Sequence, residues 1–251
     1  MDFANLERKL KNHRVKLLIL CNPHNPGGKV WSHETLTQLA AICDEHNILV
    51  ISDEIHADMV LPGNPELKHI PFAKVSAKAA NNSVTFMSPS KTFNMPGLIT
   101  SFYIIPDSDL RQKFSTYLQA SEIKFGNIFA YAATAACYRE GDNWRKAMLD
   151  YVQGNIDYVI NFLETYIPQI KPMRPDASFL LWLDCQALNL EPNELYQFFI
   201  QKAGLGFNQG TMFGPGGEYY LRMNMASPRA IMEQAMQQLQ QAINGINSIS
   251  S

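Results

Sequence analysis

The chain has 251 residues, of which 46% are hydrophobic and 18% charged, with a formal net charge of -2. That is enough apolar material for one large domain or two modest ones, and near-neutral, mixed charge leaves no basic stripe for nucleic acid or an anionic membrane. No apolar run approaches bilayer-spanning length, and the N-terminus lacks the apolar core of a secretory signal, so a soluble, cytoplasmic protein is expected.

Phe3, Leu6 and Leu10 recur at helical spacing and predict a short amphipathic helix ending before Asn12-His13-Arg14. Val15-Lys-Leu-Leu-Ile-Leu-Cys21 then reads as a strand with no wet face, the pattern of a parallel sheet covered on both sides. After the turn-rich Asn22-Pro-His-Asn-Pro-Gly-Gly28, Ser32 opens a helix carrying Leu36, Leu39, Ala40 and Cys43, and Ile48-Leu-Val-Ile-Ser52 is a second buried strand. A Pro/Gly-rich segment from Leu61 to Pro71 leads to a small helix and the strand Val84-Thr-Phe-Met87, and Thr100 to Pro106 supplies another strand. Strand and helix alternate up to this point, which predicts an α/β layered sheet with right-handed crossovers.

From Ser108 to Ile167 the periodicity turns helical. Phe129, Ala132, Ala133, Ala136 and Cys137 fall on one face, and Tyr151, Ile156, Val159, Ile160 and Leu163 on the next. Pro168, Pro172 and Pro175 mark the passage to a second layout. Its strands are Phe179 to Leu183 and Tyr219 to Met225, its helices lie near Glu191 to Ala203 and Pro228 to Ile243, and a Ser/Asn-rich tail expected to be disordered follows. The expected division is residues 1–150 as a large domain and 151–251 as a smaller α+β domain. Cys21, Cys43, Cys137 and Cys185 show no C-x-x-C pairing, so they read as reduced apolar residues; neither a metal site nor a disulfide framework is expected.

Ligands of α/β sheets collect at the carboxyl ends of the strands. Three loops there carry unusual polar residues: Asn22 to Gly28, Asp53 to Asp58, and Ser88 to Asn94. Lys91 follows a strand, with the hydroxyls of Ser88 and Ser90 just before it. Its amine is placed to condense with pyridoxal 5'-phosphate, and the two serines offer hydroxyls to the phosphate. By itself the signal is weak, because most lysines after strands are solvated surface residues. Other readings also stand open: Asp53 as a helix N-cap, Asn25 as turn chemistry, Arg222 as the partner of a buried carboxylate, and His56 as a structural histidine.

Taken together, Asn25-Pro-Gly-Gly28, Ser52-Asp-Glu-Ile-His56, Ser88-Pro-Ser-Lys91 and Tyr220-Leu-Arg-Met-Asn224 resemble, in order and spacing, the fold-type I pyridoxal-phosphate enzymes of the aminotransferase class I/II superfamily. Asn22-Pro-His-Asn-Pro-Gly-Gly28, Asp53-Glu-Ile-His56-Ala-Asp58 and Lys91-Thr-Phe-Asn-Met-Pro-Gly-Leu98 bring the likeness closest to the MalY/PatB-type cystathionine β-lyase branch. The resemblance implies the C-terminal part of such an enzyme: a partial, mostly parallel sheet with flanking helices plus a smaller α+β domain. It implies that Lys91 forms the Schiff base and shuttles the α-proton, Asp53 faces the pyridine nitrogen, Asn25 and His56 approach the ring's phenolic oxygen, and Arg222 clamps the substrate carboxylate. It also implies carbon-sulfur β-elimination from a cystathionine- or cysteine-type amino acid, with transamination as the competing reading, and a homodimer once the N-terminal part is supplied. Two departures stand out. No arginine follows Lys91 to bind the phosphate, leaving Thr100 or Ser101 as substitutes. The family's N-terminal arm, phosphate-binding helix and stacking aromatic have no counterpart, which exposes the strand Val15 to Cys21 as a sheet edge and leaves a non-catalytic remnant as a further reading.

Overall fold

The computed structural model describes residues 1–123 and 126–247. They form two compact units. The first contains residues 1–24, 29–60 and 65–146; the second contains 25–28, 61–64 and the chain from 147 onward.

In the first unit, Asp2 caps α1 (Phe3–Asn12) by accepting the Asn5 N–H at 2.9 Å. β1 (Leu17–Cys21), α2 (His33–Glu45) and β2 (Leu49–Asp53) make a strand-helix-strand unit whose strands pair in parallel, and Ser32 caps α2 as its sequence predicts. α3 (Ala77–Asn81) leads to β3 (Ser83–Met87), parallel to β2, then α4 (Pro89–Thr92) and β4 (Phe102–Ile104), antiparallel to β3. The sheet order β1-β2-β3-β4 is therefore mostly parallel. Leu36, Leu39, Ala40 and Cys43 of α2 pack with Leu20, Ile48, Val50 and Phe72, and Phe3, Leu6 and Leu10 of α1 lie against them. Burial of this kind contributes about 1.5–3 kcal/mol per large side chain.

β1 departs from the expectation of two covered faces. Leu20 is buried, but Ile19 is 69% exposed and Leu17 is open as well, so among the described residues only one face of this edge strand is covered. A second departure lies beyond α5 (Ser108–Ala120), on α6 (Ile128–Glu140). Phe129, Ala132 and Ala136, expected to face a core, are exposed, and the buried or half-buried line is Ala130, Ala133, Thr134 and Cys137. Alanine-rich helices carry a weak apolar signal all round, so packing and not periodicity selects the inward face.

α7 (Asp142–Tyr166) supplies Leu149, Val152, Ile156, Val159, Ile160 and Leu163 as a buried stripe. In the second unit β5 (Lys171–Met173), β6 (Leu180–Asp184), α8 (Pro192–Gln197), β7 (Asn208–Gln209), β8 (Tyr220–Asn224) and α9 (Arg229–Asn247) follow, and the strands form an antiparallel sheet in the order β5-β6-β8-β7. Leu181, Leu183, Leu221 and Met223 alternate inward, which leaves Trp182 and Arg222, paired across the strands, on the opposite face. The tail expected to be disordered after Ile243 is helical through Asn247; residues 248–251 lie outside the described residues. Buried Met232, Met236, Leu239 and Ile243 anchor α9 and offset the poor helix propensity of its last turns.

Two expected outcomes follow from this packing. Gly28 has φ +66°, and a methyl group there would overlap the Pro175 side chain, so Gly28→Ala should lower unfolding stability by about 2–4 kcal/mol in urea denaturation. Asn155 is fully buried in the second unit, where its amide donates to the carbonyls of Met225 and Ser227 at 2.9 and 2.8 Å and its oxygen accepts from Arg229 Nε at 2.9 Å. Asn155→Leu strands these groups and should cost about 2–4 kcal/mol by the same measurement.

Candidate functional site

In the first unit the carboxyl ends of three strands are tied together. Cys21 lies opposite Asp53 and Asp53 opposite Phe86 in the parallel register. The Asn22 N–H donates to the Asp53 carbonyl at 3.0 Å, and the Glu54 N–H to the Phe86 carbonyl at 2.9 Å. Asp53 is half-buried, and its Oδ1 accepts the Ile55 N–H at 3.1 Å, a local turn that fixes the carboxylate at the strand end. His56 is buried just beyond, and its carbonyl accepts the Met59 N–H at 3.0 Å.

β3 passes directly into the lysine loop. Ser88 caps α4, accepting the Ser90 N–H at 3.1 Å, and Pro89 occupies the first helical position, where its missing N–H costs nothing. The Ser88 hydroxyl lies 2.6 Å from the Thr100 carbonyl, to which it donates, and 2.7 Å from the Ser90 hydroxyl. Ser88 is therefore buried and engaged in shaping the loop, while Ser90 is half-buried. Lys91 projects from the last turn of α4 and is exposed. Behind it Phe93 packs edge-on to Tyr138, with ring centroids 5.6 Å apart, and a Cβ on Gly141 would come within 2.6 Å of the Phe93 ring. An exposed primary amine and a half-buried carboxylate thus leave the carboxyl ends of neighbouring parallel strands. This donor set fits an aldehyde cofactor with a basic ring nitrogen.

Asn25 and Arg222 belong to the second unit, where they meet directly: Arg222 Nη1 donates to Asn25 Oδ1 at 2.9 Å. Nη2 donates to Asn208 Oδ1 at 2.9 Å, and the guanidinium lies over the Phe213 ring, 4.7 Å from its centroid. Trp182 stacks on Tyr220 at 5.4 Å beside it. Partial burial pushes the Arg222 pKa down, since desolvation disfavours the cation. The alternative of a buried carboxylate partner does not describe this residue, whose hydrogen-bond acceptors among the described residues are both neutral amides.

Sequence reasoning passed over Glu54, which is buried beside Asp53. Its carboxylate accepts from the Ser52 hydroxyl at 2.8 Å and the Phe72 N–H at 3.0 Å, and lies 2.7 Å from His69 Nε2. The two acidic residues in succession were the available signal. With Asp58, His69, Phe93, Tyr138 and Arg145 it lines a cavity of about 530 Å³ in the first unit; Asp53 and Lys91 are not among the lining residues. Tyr138 donates to Asp58 Oδ2 at 3.2 Å there, and burial, followed by the Asp58 charge, pushes its phenol pKa up.

Residues 1–239 match the family model "Aminotransferase class I and II". The chain is 43% identical to "Cystathionine beta-lyase PatB" of Bacillus subtilis over 97% of its own length and 62% of that protein's. Among solved structures it is similar to cystalysin from Treponema denticola, which contains pyridoxal 5'-phosphate, with a TM-score of 0.92 and 32% identity over 98% of this chain and 62% of that one. It is also similar to a pyridoxal-phosphate-bound C-S lyase from Staphylococcus hominis, with a TM-score of 0.87 and 35% identity over 97% of this chain and 58% of that one. The chain therefore spans about three-fifths of the length of these relatives. A matching family model over nearly the whole sequence, on a sheet that carries the lysine and the aspartate at adjacent strand ends, establishes that this chain belongs to the aminotransferase class I and II family.

Proposed function

We propose that this chain carries the catalytic residues of a pyridoxal-phosphate-dependent carbon-sulfur β-lyase acting on cystathionine or a cysteine-type amino acid. The observation that carries the reading is the 43% identity to a cystathionine β-lyase over 97% of the chain, coupled to Lys91 and Asp53 at adjacent strand ends. Bound pyridoxal phosphate supplies an aldehyde carbon for the amine and a ring that accepts electron density from the substrate's α carbon. Lys91 holds the cofactor and takes the α-proton, and Asp53 holds a proton on the ring nitrogen. Asn25 would offer its amide nitrogen to the phenolic oxygen, and Arg222, which donates to Asn25 Oδ1, would bind the substrate carboxylate. Ser90, with Ser88 shaping the loop around it, would contribute to phosphate binding, and His56 would serve the phenolic-oxygen side.

The working form we propose is a cytoplasmic homodimer. Tyr117, Ile123, Ile128 and Phe129 are large apolar side chains left exposed, which supports association, and cysteines without a disulfide among the described residues agree with a reducing compartment. No described helix is long and apolar enough to cross a membrane.

The test incubates the cofactor-loaded chain with cystathionine, measuring thiol and pyruvate, and separately with amino acids plus a 2-oxo acid. Equal release of thiol and pyruvate without the oxo acid is expected. Turnover that requires the oxo acid and releases no thiol would replace the lyase by an aminotransferase, and cofactor binding without turnover in either assay would leave a non-catalytic chain.

A further inference from the structure

Arg222 is held in an unusual way for a half-buried cation. Its Nη1 and Nη2 each donate to the side-chain carbonyl of an asparagine at 2.9 Å, Phe213 lies against its face, and Nε is buried among the described residues without a hydrogen-bond partner. A desolvated guanidinium normally gains from a carboxylate partner. Here both acceptors are neutral dipoles, which orient the group and leave its charge uncompensated for an incoming anion.

Asn25 reaches Arg222 from far along the chain, whereas Asn208 stands directly opposite it, in register on the neighbouring strand β7. We propose that Asn208 is a positioning residue that selects ligands bearing a free carboxylate, by fixing the outer edge of the Arg222 guanidinium without neutralising it. An aspartate in its place would pair with Arg222 and cancel the attraction, and an alanine would release Nη2 to swing about the side-chain torsions. The inference deepens the reading of Arg222 as the carboxylate-binding residue and rests on it.

Calorimetric titration of the full chain with L-alanine and with L-alaninamide, each with and without pyridoxal phosphate, separates this inference from the catalytic one. The two ligands differ in the carboxylate, so the ratio of their affinities reads that recognition alone. Asn208→Ala should weaken L-alanine binding about tenfold, the loss typical of a charge-assisted hydrogen bond, and leave L-alaninamide unchanged. Asn208→Asp should weaken L-alanine more than Asn208→Ala does, although it keeps an oxygen acceptor in place. The thermal midpoints should stay near the parent's, because Asn208 is exposed. Parent-like L-alanine affinity in both variants, an equal loss for the two ligands, or no preference for the carboxylate in the parent under either condition would overturn the proposal. Failure of pyridoxal phosphate to bind, with the L-alanine preference and its dependence on Asn208 intact, would sink the lyase reading and leave this one standing.

Discussion

Lys91→Ala should abolish covalent attachment of pyridoxal phosphate. Incubated with the cofactor, the parent chain should absorb in the visible, and borohydride reduction should fix the cofactor to the peptide spanning Ser88 to Asn94. The alanine variant should show neither signal and no turnover. The fold should be spared: Lys91 is exposed, and no apolar contact of the α4 loop depends on its amine, so unfolding stability should change by no more than about 0.5 kcal/mol. The parent's thermal midpoint should rise with cofactor concentration, because a ligand that binds only the native state stabilises it by mass action, and the rise should shrink in the variant. Labelling of a different lysine in the parent would refute the assignment outright.

Asp53 should be separable from Lys91 by the step it affects. Asp53→Ala should still permit attachment at Lys91, yet turnover should fall by about three orders of magnitude, the scale for removing one preorganised electrostatic partner of a developing charge. Asp53 Oδ1 also accepts the Ile55 N–H, so alanine removes a turn contact together with the charge. Asp53→Asn resolves the two, since an amide oxygen can keep that hydrogen bond without the negative charge. If the carboxylate acts on the ring nitrogen, asparagine should retain the parent's thermal midpoint and lose turnover almost as completely as alanine. Near-parental turnover in the asparagine variant would reduce Asp53 to a turn residue.

The local elements were legible because their causes are local. Ser32 announces a helix start by offering its side-chain oxygen to a free N–H group, and the apolar runs leading to Cys21 and Met87 read as strands. The Lys91 loop was legible as a polar segment after a strand, but that Ser88 and Pro89 start a short helix there, with the Ser88 hydroxyl turned to the Thr100 carbonyl, was decided by the structure. Periodicity became unreliable where a helix is small-sided: the alanines of α6 are nearly alike around its circumference, and contacts elsewhere decided that Ala130 goes in and Phe129 stays out.

By itself, then, the amino-acid order determined the longer strands and helices, the chemical types at the strand ends, and the family, because each depends on neighbours a few residues apart or on a motif read as a string. Only the tertiary structure decided which of those groups meet. Arg222 shares its guanidinium between Asn25 and Asn208, brought to it by long-range folding and by strand register. Glu54 is buried beside Asp53 by its bonds to Ser52, His69 and Phe72. Pairings of this kind are set by the register of strands and the closure of long loops, whose cost is met by the whole core and leaves no imprint on adjacent residues.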